Sequence, residues 1–295
     1  MILWKAGKFN FNLTTKTCVM GILNVTPDSF SDGGLWSTPE KSLERAMQIQ
    51  NEGADILDIG AQSTRPFYNL ISPKEELSRL VPVLEILKGK IKIPISIDTF
   101  YPEVAIESLR LGANIINDVT GFANHKMLEI IAENDCGYVL MHGVNKFENG
   151  VYSPKTGILT NVKQTKNISK NINIETEIFD FFIKKLKILN LYGIKSERVC
   201  LDPGIGFHKT YEENLEVIKN IKKLKIKEIP ILIGASRKKV VGALCEKEKS
   251  VFGTIALNTV AICNGANIIR CHDVAENVCA ARVTNKLIYN LKTCI

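Results

Sequence analysis

The chain has 295 residues, of which 45% are hydrophobic and 23% are charged, and its formal net charge is +7, with a pI near 8.9. These are ordinary globular proportions, and a chain of this length buries a core large enough to stabilise itself without disulfides or structural metal. No apolar run approaches the length of a membrane span, and the first residues lack the apolar centre and cleavage site of a secretory signal. We therefore expect a cytoplasmic protein.

The eight cysteines and the positive charge each suggest another class of protein. The cysteines include no close Cys-x-x-Cys pair, which favours unpaired thiols over a metal site or a disulfide framework. The lysines are concentrated in residues 163–187 and 219–227, without the interleaved aromatic residues of a nucleic-acid stacking platform. A basic site that attracts anionic small molecules explains the charge equally well, so we expect neither a nucleic-acid partner nor a membrane partner.

One unit recurs along the chain: a short apolar run, a polar residue, a loop and an amphipathic helix. The runs are rich in Ile, Val and Leu and lack the alternation of half-exposed strands, as is typical of buried parallel strands. They occupy residues 19–24, 55–60, 94–98, 114–119, 138–142, 198–202, 230–234 and 267–271.

Helical patterns occupy most of the intervals between these runs. Pro39 stands where a first-turn proline is tolerated, and Gly53 ends the pattern that follows it. The patterns cover residues 39–53, 73–87, 102–111, 175–191, 211–224, the region after Arg237, and 274–291.

Eight successive strand–helix units predict an α/β fold of the (β/α)8 TIM barrel type, as one domain over residues 1–295. The opening segment, with Trp4, Phe9 and Phe11 around Gly7, predicts a hairpin that covers the bottom of the barrel. Residues 145–173 have little periodicity and predict a long loop. A doubly wound open sheet, which requires a switch in strand order, is the structural alternative.

Polar residues stand at the carboxyl ends of all eight predicted strands, the end at which TIM barrels carry their active sites. They are Asn24, Asp58, Asp98 with Thr99, Asn117 with Asp118, His142, Asp202, Ser236-Arg237-Lys238, and Arg270 with His272. Several have a structural alternative: Asp98 could cap a helix, and His142 could be a satisfied core histidine. We interpret Asp58 and Asp118 as structural, because side-chain alternation can turn them away from the mouth.

These residue types indicate the chemistry of the ligand. Asp98, Asn117, Asp202 and Lys238 offer the donors and acceptors that a flat, nitrogen-rich heterocycle requires. The cations Arg65, Arg270 and His272 suit a phosphate or diphosphate. Asn24 offers a hard oxygen for Mg2+, whose other ligands are commonly water and phosphate oxygens.

Several motifs occur in order and resemble the signatures of the dihydropteroate synthase family over nearly the whole chain. They are residues 20–34 (MGILNVTPDSFSDGG), 58–60 (DIG) with 63–66 (STRP), 96–99 (SIDT), 116–119 (INDV), 201–207 (LDPGIGF), 236–238 (SRK) and 270–274 (RCHDV). Each motif alone is moderately specific, whereas the ordered set is very specific.

The resemblance implies a role for each matching position. The pterin would be bound by Asp98, Asn117, Asp202, Lys238, Arg270, Ile22, Val119, Met141, Gly206 and Phe207. The diphosphate would be bound by Asn24, Arg65, Arg270 and His272, with Asn24 as the ligand of Mg2+. The p-aminobenzoate would be bound by Phe30, Thr64, Pro66, Phe207, Lys238 and Lys239. The catalytic residues would be Asp98, Lys238, Arg65 and Asp32.

The resemblance also implies a reaction, a cofactor and an assembly. Pyrophosphate would leave the pterin methylene carbon with the assistance of Mg2+, and the arylamine would attack the cation-like centre. Metal and arginine would stabilise the leaving anion, while fixed carboxylates favour the developing positive charge. The protein would act as a homodimer in folate biosynthesis.

The chain departs from the family pattern near the arylamine site. Gln62 stands where an acidic residue is frequent, Phe67 where glycine is common, and Lys239 where small or hydroxylated residues are usual. The alternatives are a pterin-dependent methyltransferase with a similar barrel, a pterin-binding paralogue without turnover, and a nucleic-acid-binding protein that uses the lysine-rich helices.

Overall fold

The structure is a computed structural model that describes residues 1–26, 38–62, 70–143, 147–148, 151–152 and 173–289. Two strands precede the barrel: β1 (Leu3–Ala6) and β2 (Phe9–Asn12). Five barrel strands follow: β3 (Cys18–Asn24), β4 (Ile56–Gly60), β5 (Ile95–Asp98), β6 (Ile115–Asp118) and β7 (Gly137–Met141). After a short pair, β8 (Phe147–Glu148) and β9 (Val151–Tyr152), come β10 (Val199–Asp202), β11 (Leu232–Ile233) and β12 (Ile268–Cys271).

Helices occupy the predicted intervals. They are α1 (Pro39–Asn51), α2 (Pro73–Leu87), α3 (Pro102–Arg110), α4 (His125–Glu133), α5 (Ile174–Leu191), α6 (Tyr211–Lys219), α7 (Lys239–Gly242), α8 (Ser250–Cys263) and α9 (Val274–Tyr289). Capping explains where they begin: the Ser72 hydroxyl accepts a hydrogen bond from the Glu75 backbone N–H at 3.1 Å, and a proline follows it at the first helical position. None of these helices in the described part of the chain is long and apolar enough to cross a membrane.

Three regions differ from the sequence-based prediction. Helix α4 was not predicted; the Asn124 side chain accepts from the Lys126 N–H and caps it. The predicted helix 211–224 ends at Lys219, and a separate 3-10 turn, Ile221–Leu224, follows Asn220. Within the predicted loop 145–173, β8 and β9 form an antiparallel pair, while most of that range lies outside the described residues.

The eight-stranded sheet is parallel and follows the chain. Its order from one edge to the other is β10-β7-β6-β5-β4-β3-β12-β11, and a parallel bridge between Leu201 and Ile231 joins the two edge strands. Consecutive barrel strands are therefore neighbours all the way around, without the switch in order that a doubly wound sheet requires. The predicted TIM barrel is confirmed.

The N-terminal hairpin covers the bottom of the barrel, as predicted. Strands β1 and β2 pair around Gly7, whose φ of 58° is a left-handed conformation that glycine adopts without strain. Trp4 is fully buried, stacks on Phe11 with ring centroids 5.5 Å apart, and donates its indole N–H to the Arg198 carbonyl at 3.1 Å. Its ring lies in one apolar cluster with residues of the barrel interior, such as Met20 and Ile268.

Candidate active site

The inward-facing side chains of the strands form layers, because residues two apart on a strand face the same side. The lowest layer is apolar and packs with Trp4; it comprises Met20, Ile56, Ile115, Val139, Cys200, Leu232 and Ile268. Two residues further along these strands, the same side carries Ile22, Asp58, Asn117, Met141, Asp202, Gly234 and Arg270. On β5, the same step of two residues leads from Ser96 to Asp98, which joins this layer. Six of the ten predicted pterin-binding residues therefore belong to one layer at the mouth of the barrel: Ile22, Asp98, Asn117, Met141, Asp202 and Arg270.

Arg270 is the centre of this layer. Its Nε donates to Asp58 Oδ2 at 2.6 Å and its Nη2 donates to Asp98 Oδ2 at 2.6 Å. Burial opposes the charged guanidinium, but the carboxylates of Asp58 and Asp98 outweigh it and raise the pKa of Arg270 above its ordinary value. Asn117 reaches the same cluster, with Nδ2 3.4 Å from Asp58 Oδ2. Three predicted residues thus converge on one buried ion cluster.

The cluster leaves two buried acceptor atoms. Asp98 Oδ1 and Asn117 Oδ1 have no hydrogen-bond donor among the residues that the structure describes. Burial raises the pKa of Asp98 to about 7, against the opposing effect of Arg270. A buried acceptor without a donor costs free energy, so the pair is suited to a ligand that presents N–H groups side by side.

Asp202 and Lys238 border the cluster on the β10–β12 side. Asp202 Oδ1 accepts from the Gly204 N–H at 2.7 Å, and burial raises the pKa of its carboxyl group although Lys238 opposes this. Lys238 Nζ donates to the Ile205 carbonyl at 2.5 Å and lies 4.5 Å from the centre of the Phe207 ring. Gly206 approaches this lysine so closely that a Cβ would lie 2.9 Å from Lys238 Cδ, and its φ is 82°.

An apolar wall completes the site. Val119 and Met141 are buried and pack with Phe100, and the partly buried Phe207 rests against this group. Ile22, also buried, stands beside Asp58 in the register of β3 and β4. The structure therefore combines a charged floor with one apolar flank, which is how sites for flat aromatic ligands are commonly built.

Groups suited to a diphosphate lie at the ends of β3 and β12. His272 Nδ1 is 3.0 Å from Ser236 Oγ, and its backbone N–H donates to the same hydroxyl oxygen at 3.2 Å. Arg45 Nη2 donates to the His272 carbonyl at 3.0 Å, so His272 is held from two elements. Sequence reasoning placed Ser236 at a strand end without assigning it this role, and it missed Arg45.

The Asn24 side-chain oxygen is suited to be the single protein ligand of a metal ion. A Cβ on Gly60 would lie 3.7 Å from Asn24 Oδ1 and 3.9 Å from Asp98 Oδ2, so the glycine keeps the space between the two oxygens open. Among the described residues, no group of three or more His, Cys, Asp or Glu could hold a metal. One amide oxygen with water and phosphate oxygens suits Mg2+.

Other predicted residues fall into four groups. Asp118 is structural as predicted: it accepts from the Tyr138 hydroxyl at 2.9 Å on the helix side of the sheet. Asp58 differs from the expectation in its direction: its side chain faces the barrel interior, where it pairs with Arg270. His142 is a satisfied buried histidine. Phe30, Asp32, Thr64, Arg65, Pro66 and Phe67 lie outside the described residues.

Two departures from the family pattern can be located. Gln62 is buried, and its side-chain oxygen accepts from the Ile71 N–H at 3.0 Å, so it ties together the two ends of the segment between them. Lys239 is exposed at the first position of α7, next to Lys238. The seven described cysteines are free thiols.

Comparison with known proteins gives a consistent result. A family described as pterin binding enzyme matches residues 20–272. A dihydropteroate synthase of Clostridium beijerinckii is 38% identical over 96% of this chain and 99% of its own length. The structure of Yersinia pestis dihydropteroate synthase in a sulfonamide drug complex is 34% identical, with a TM-score of 0.85, over 98% of this chain and 100% of that one. The Burkholderia cenocepacia dihydropteroate synthase complexed with 7,8-dihydropteroate is 30% identical, with a TM-score of 0.82, over 98% of this chain and 97% of that one.

Proposed function

The chain belongs to the dihydropteroate synthases of the pterin-binding enzyme family, and we propose that its barrel mouth binds the two substrates of that reaction. It is a transferase of folate biosynthesis that condenses 6-hydroxymethyl-7,8-dihydropterin diphosphate with p-aminobenzoate, giving 7,8-dihydropteroate and pyrophosphate. The observation that carries the residue assignment is the Asp58–Arg270–Asp98 cluster, with ion-pair distances of 2.6 Å and two buried acceptors beside it.

The pterin binds in the layer around Arg270. Asp98 Oδ1 and Asn117 Oδ1 accept hydrogen bonds from its N–H groups, which gives each buried oxygen a donor. Asp202 and Lys238 contact the opposite edge of the ring, while Arg270 stacks on one ring face. Ile22, Val119 and Met141, which are buried, enclose the remaining surface together with Gly206 and the partly buried Phe207, and the buried side chains keep water from competing for these hydrogen bonds.

The residues promote breakage of the bond between the methylene carbon and the diphosphate oxygen. His272 and Arg65 bind the diphosphate and lower the energy of the departing anion. Asn24 would hold Mg2+, which would supply positive charge to stabilise the leaving diphosphate. Ionised Asp98 favours the positive charge that develops on the pterin, and the arylamine nitrogen then forms the new C–N bond and loses a proton.

The arylamine binds next to the apolar wall. Phe207 supplies a ring face, and the cations Lys238 and Lys239 stand at the start of α7, where they suit a carboxylate. Phe30, Thr64 and Pro66 complete this part of the site, with Asp32 and Arg65 as further catalytic groups. Lys239, in place of a small or hydroxylated residue, adds a flexible cation next to the arylamine carboxylate.

The active form is a homodimer. Helices α8 and α9 pack against each other, and Phe252, Val283 and Leu287 on them are 68%, 57% and 75% exposed. Large apolar side chains exposed on neighbouring helices suit a protein–protein contact. The cytoplasmic location stays a prediction.

The test is pyrophosphate release by the purified protein, measured with pterin diphosphate in the presence and absence of p-aminobenzoate and of Mg2+. We expect pyrophosphate in amounts equal to the 7,8-dihydropteroate formed, only when both substrates and the metal are present. Binding of the pterin without turnover would identify a pterin-binding paralogue and overturn the proposed activity.

A further inference from the structure

Lys209 is a buried amine at the end of the turn that follows β10. Its Nζ lies 3.1 Å from the carbonyl oxygens of Gly204 and Phe207. It also lies 3.3 Å from the His142 carbonyl oxygen and 3.1 Å from His142 Nδ1. Four acceptors thus surround one nitrogen. Two of them belong to His142, which follows the end of β7, rather than to the turn that carries Lys209.

The turn that Lys209 holds, residues 203–208, carries part of the site. Within it, the Ile205 carbonyl accepts from Lys238 Nζ, and the Phe207 ring lies under the same ammonium group. Gly206 and His208 have left-handed backbones, with φ of 82° and 48°. Because a non-glycine residue such as His208 adopts this conformation at a cost, surrounding contacts must hold the turn in place.

The neighbours of Lys209 balance its charge from several elements. Its amine faces Asp202 on β10, Glu177 on α5 and Glu213 on α6, while Lys238 opposes it. Burial nevertheless lowers the pKa of Lys209 to about 7.

His142 is the partner of Lys209 at the end of β7. His142 Nε2 lies 3.7 Å from Glu177 Oε1, and this carboxylate favours the tautomer that carries the ring proton on Nε2 and leaves Nδ1 as an acceptor for Lys209. Burial lowers the pKa of His142, which keeps the imidazole neutral.

We propose that Lys209 is a positioning residue for the proposed reaction: it ties turn 203–208 to the end of β7 and thereby places Phe207 and the Lys238 ammonium against the substrates. The inference rests on the proposed function of this site. Lys209 itself is not placed against either substrate; it acts through the three carbonyl groups that it joins. Without the lysine, the turn loses its hydrogen bonds to His142. Phe207, which belongs to both the turn and the apolar wall, then shifts away from the arylamine.

The test compares Lys209→Met with Arg198→Met. The matched control, Arg198, also joins several carbonyls, those of Ile131, Asn134 and Cys136, but at the opposite end of β10. Initial rates of pyrophosphate release are measured at saturating pterin diphosphate and varied p-aminobenzoate. For Lys209→Met we expect KM for p-aminobenzoate to rise about tenfold while kcat changes less than about threefold, because misplacing a binding wall weakens binding more than chemistry.

Both variants lose stability, but Arg198→Met keeps the wild-type KM. An unchanged KM in folded Lys209→Met, or an equal rise in Arg198→Met, overturns the inference. If Lys209→Met does not fold, Lys209→Gln replaces it: the amide avoids burying an apolar end, but it is one bond shorter and has only two N–H donors for the four acceptors, so KM for p-aminobenzoate should still rise and the same comparison applies. Absence of pyrophosphate release by the wild type overturns the proposed function and this inference together, whereas an active wild type with unchanged variant KM overturns the inference alone.

Discussion

The two ends of the barrel are built from the same strands. They differ in the side chains that face the interior at positions two residues further along each strand. At the bottom, Met20, Ile56 and Ile268 pack on the buried Trp4 ring, which closes this end of the barrel. At the mouth, about 7 Å along the strands, their inward-facing successors include Asp58 and Arg270. The bottom buries apolar surface and stabilises the fold, whereas the mouth buries charges at a cost that only mutual pairing offsets. Separating the two ends lets the mouth keep buried acceptors that a ligand can satisfy.

The largest effect is expected for Arg270→Met. It leaves Asp58 and Asp98 buried without their cation, so the free energy of unfolding should fall by about 3–5 kcal/mol at pH 8 and pterin binding should be lost. Denaturant unfolding measures the first and calorimetry the second. The loss should be smaller at pH 5, where Asp98 takes up a proton. The control is Lys5→Met at the bottom, whose exposed pair with Glu197 should matter little; equal losses in both variants would contradict the comparison.

Trp4→Ala should produce a similar loss of stability without a loss of function. Truncating this fully buried ring leaves a cavity under the apolar layer and costs about 3–5 kcal/mol. Because the change stays at the bottom, KM for both substrates should equal the wild-type value in the folded fraction. Denaturant unfolding and steady-state kinetics check the two halves of this prediction. A large rise in either KM would show that the ends are not independent.

Asp98→Asn tests the mouth without removing volume. The amide replaces one acceptor with a donor and removes the charge, so pterin diphosphate should bind at least about 100-fold more weakly, beyond ready detection by calorimetry. The matched control is Asp118→Asn, the same change at a buried aspartate that faces the helices. It should leave the dissociation constant unchanged. An unaltered affinity in Asp98→Asn would refute its role.

The smallest effect is a pH dependence of pterin affinity. Burial raises the pKa of Asp98 to about 7 in the free protein, and a ligand that donates N–H groups prefers the ionised carboxylate. Binding therefore releases a proton below pH 7, and the dissociation constant should rise about tenfold as the pH falls from 8 to 6. Calorimetry in buffers of different ionisation enthalpy measures the proton release directly. A flat profile, with no proton released, would exclude Asp98 as the titrating acceptor.

Much of the fold could be predicted from sequence because buried parallel strands read as continuous apolar runs. Seven helical intervals were assigned from caps and periodicity, and Pro39 and Pro73 do begin α1 and α2. Helix α4 was missed since it is short and begins at an asparagine cap without proline. The end of α6 at Lys219 was missed because the apolar pattern continues into the 3-10 turn after Asn220.

The sequence by itself determined which polar residues stand at the strand ends, because parallel strands bring their carboxyl ends to one mouth. Only the tertiary structure decided which of them touch. The inward direction of Asp58 depends on its register beside Ile22, and the pairing of Arg270 with two carboxylates depends on barrel closure between distant strands. The contacts of Lys209 likewise join segments 67 residues apart. Side-chain direction and long-range contact are set by packing, which a local sequence pattern does not encode.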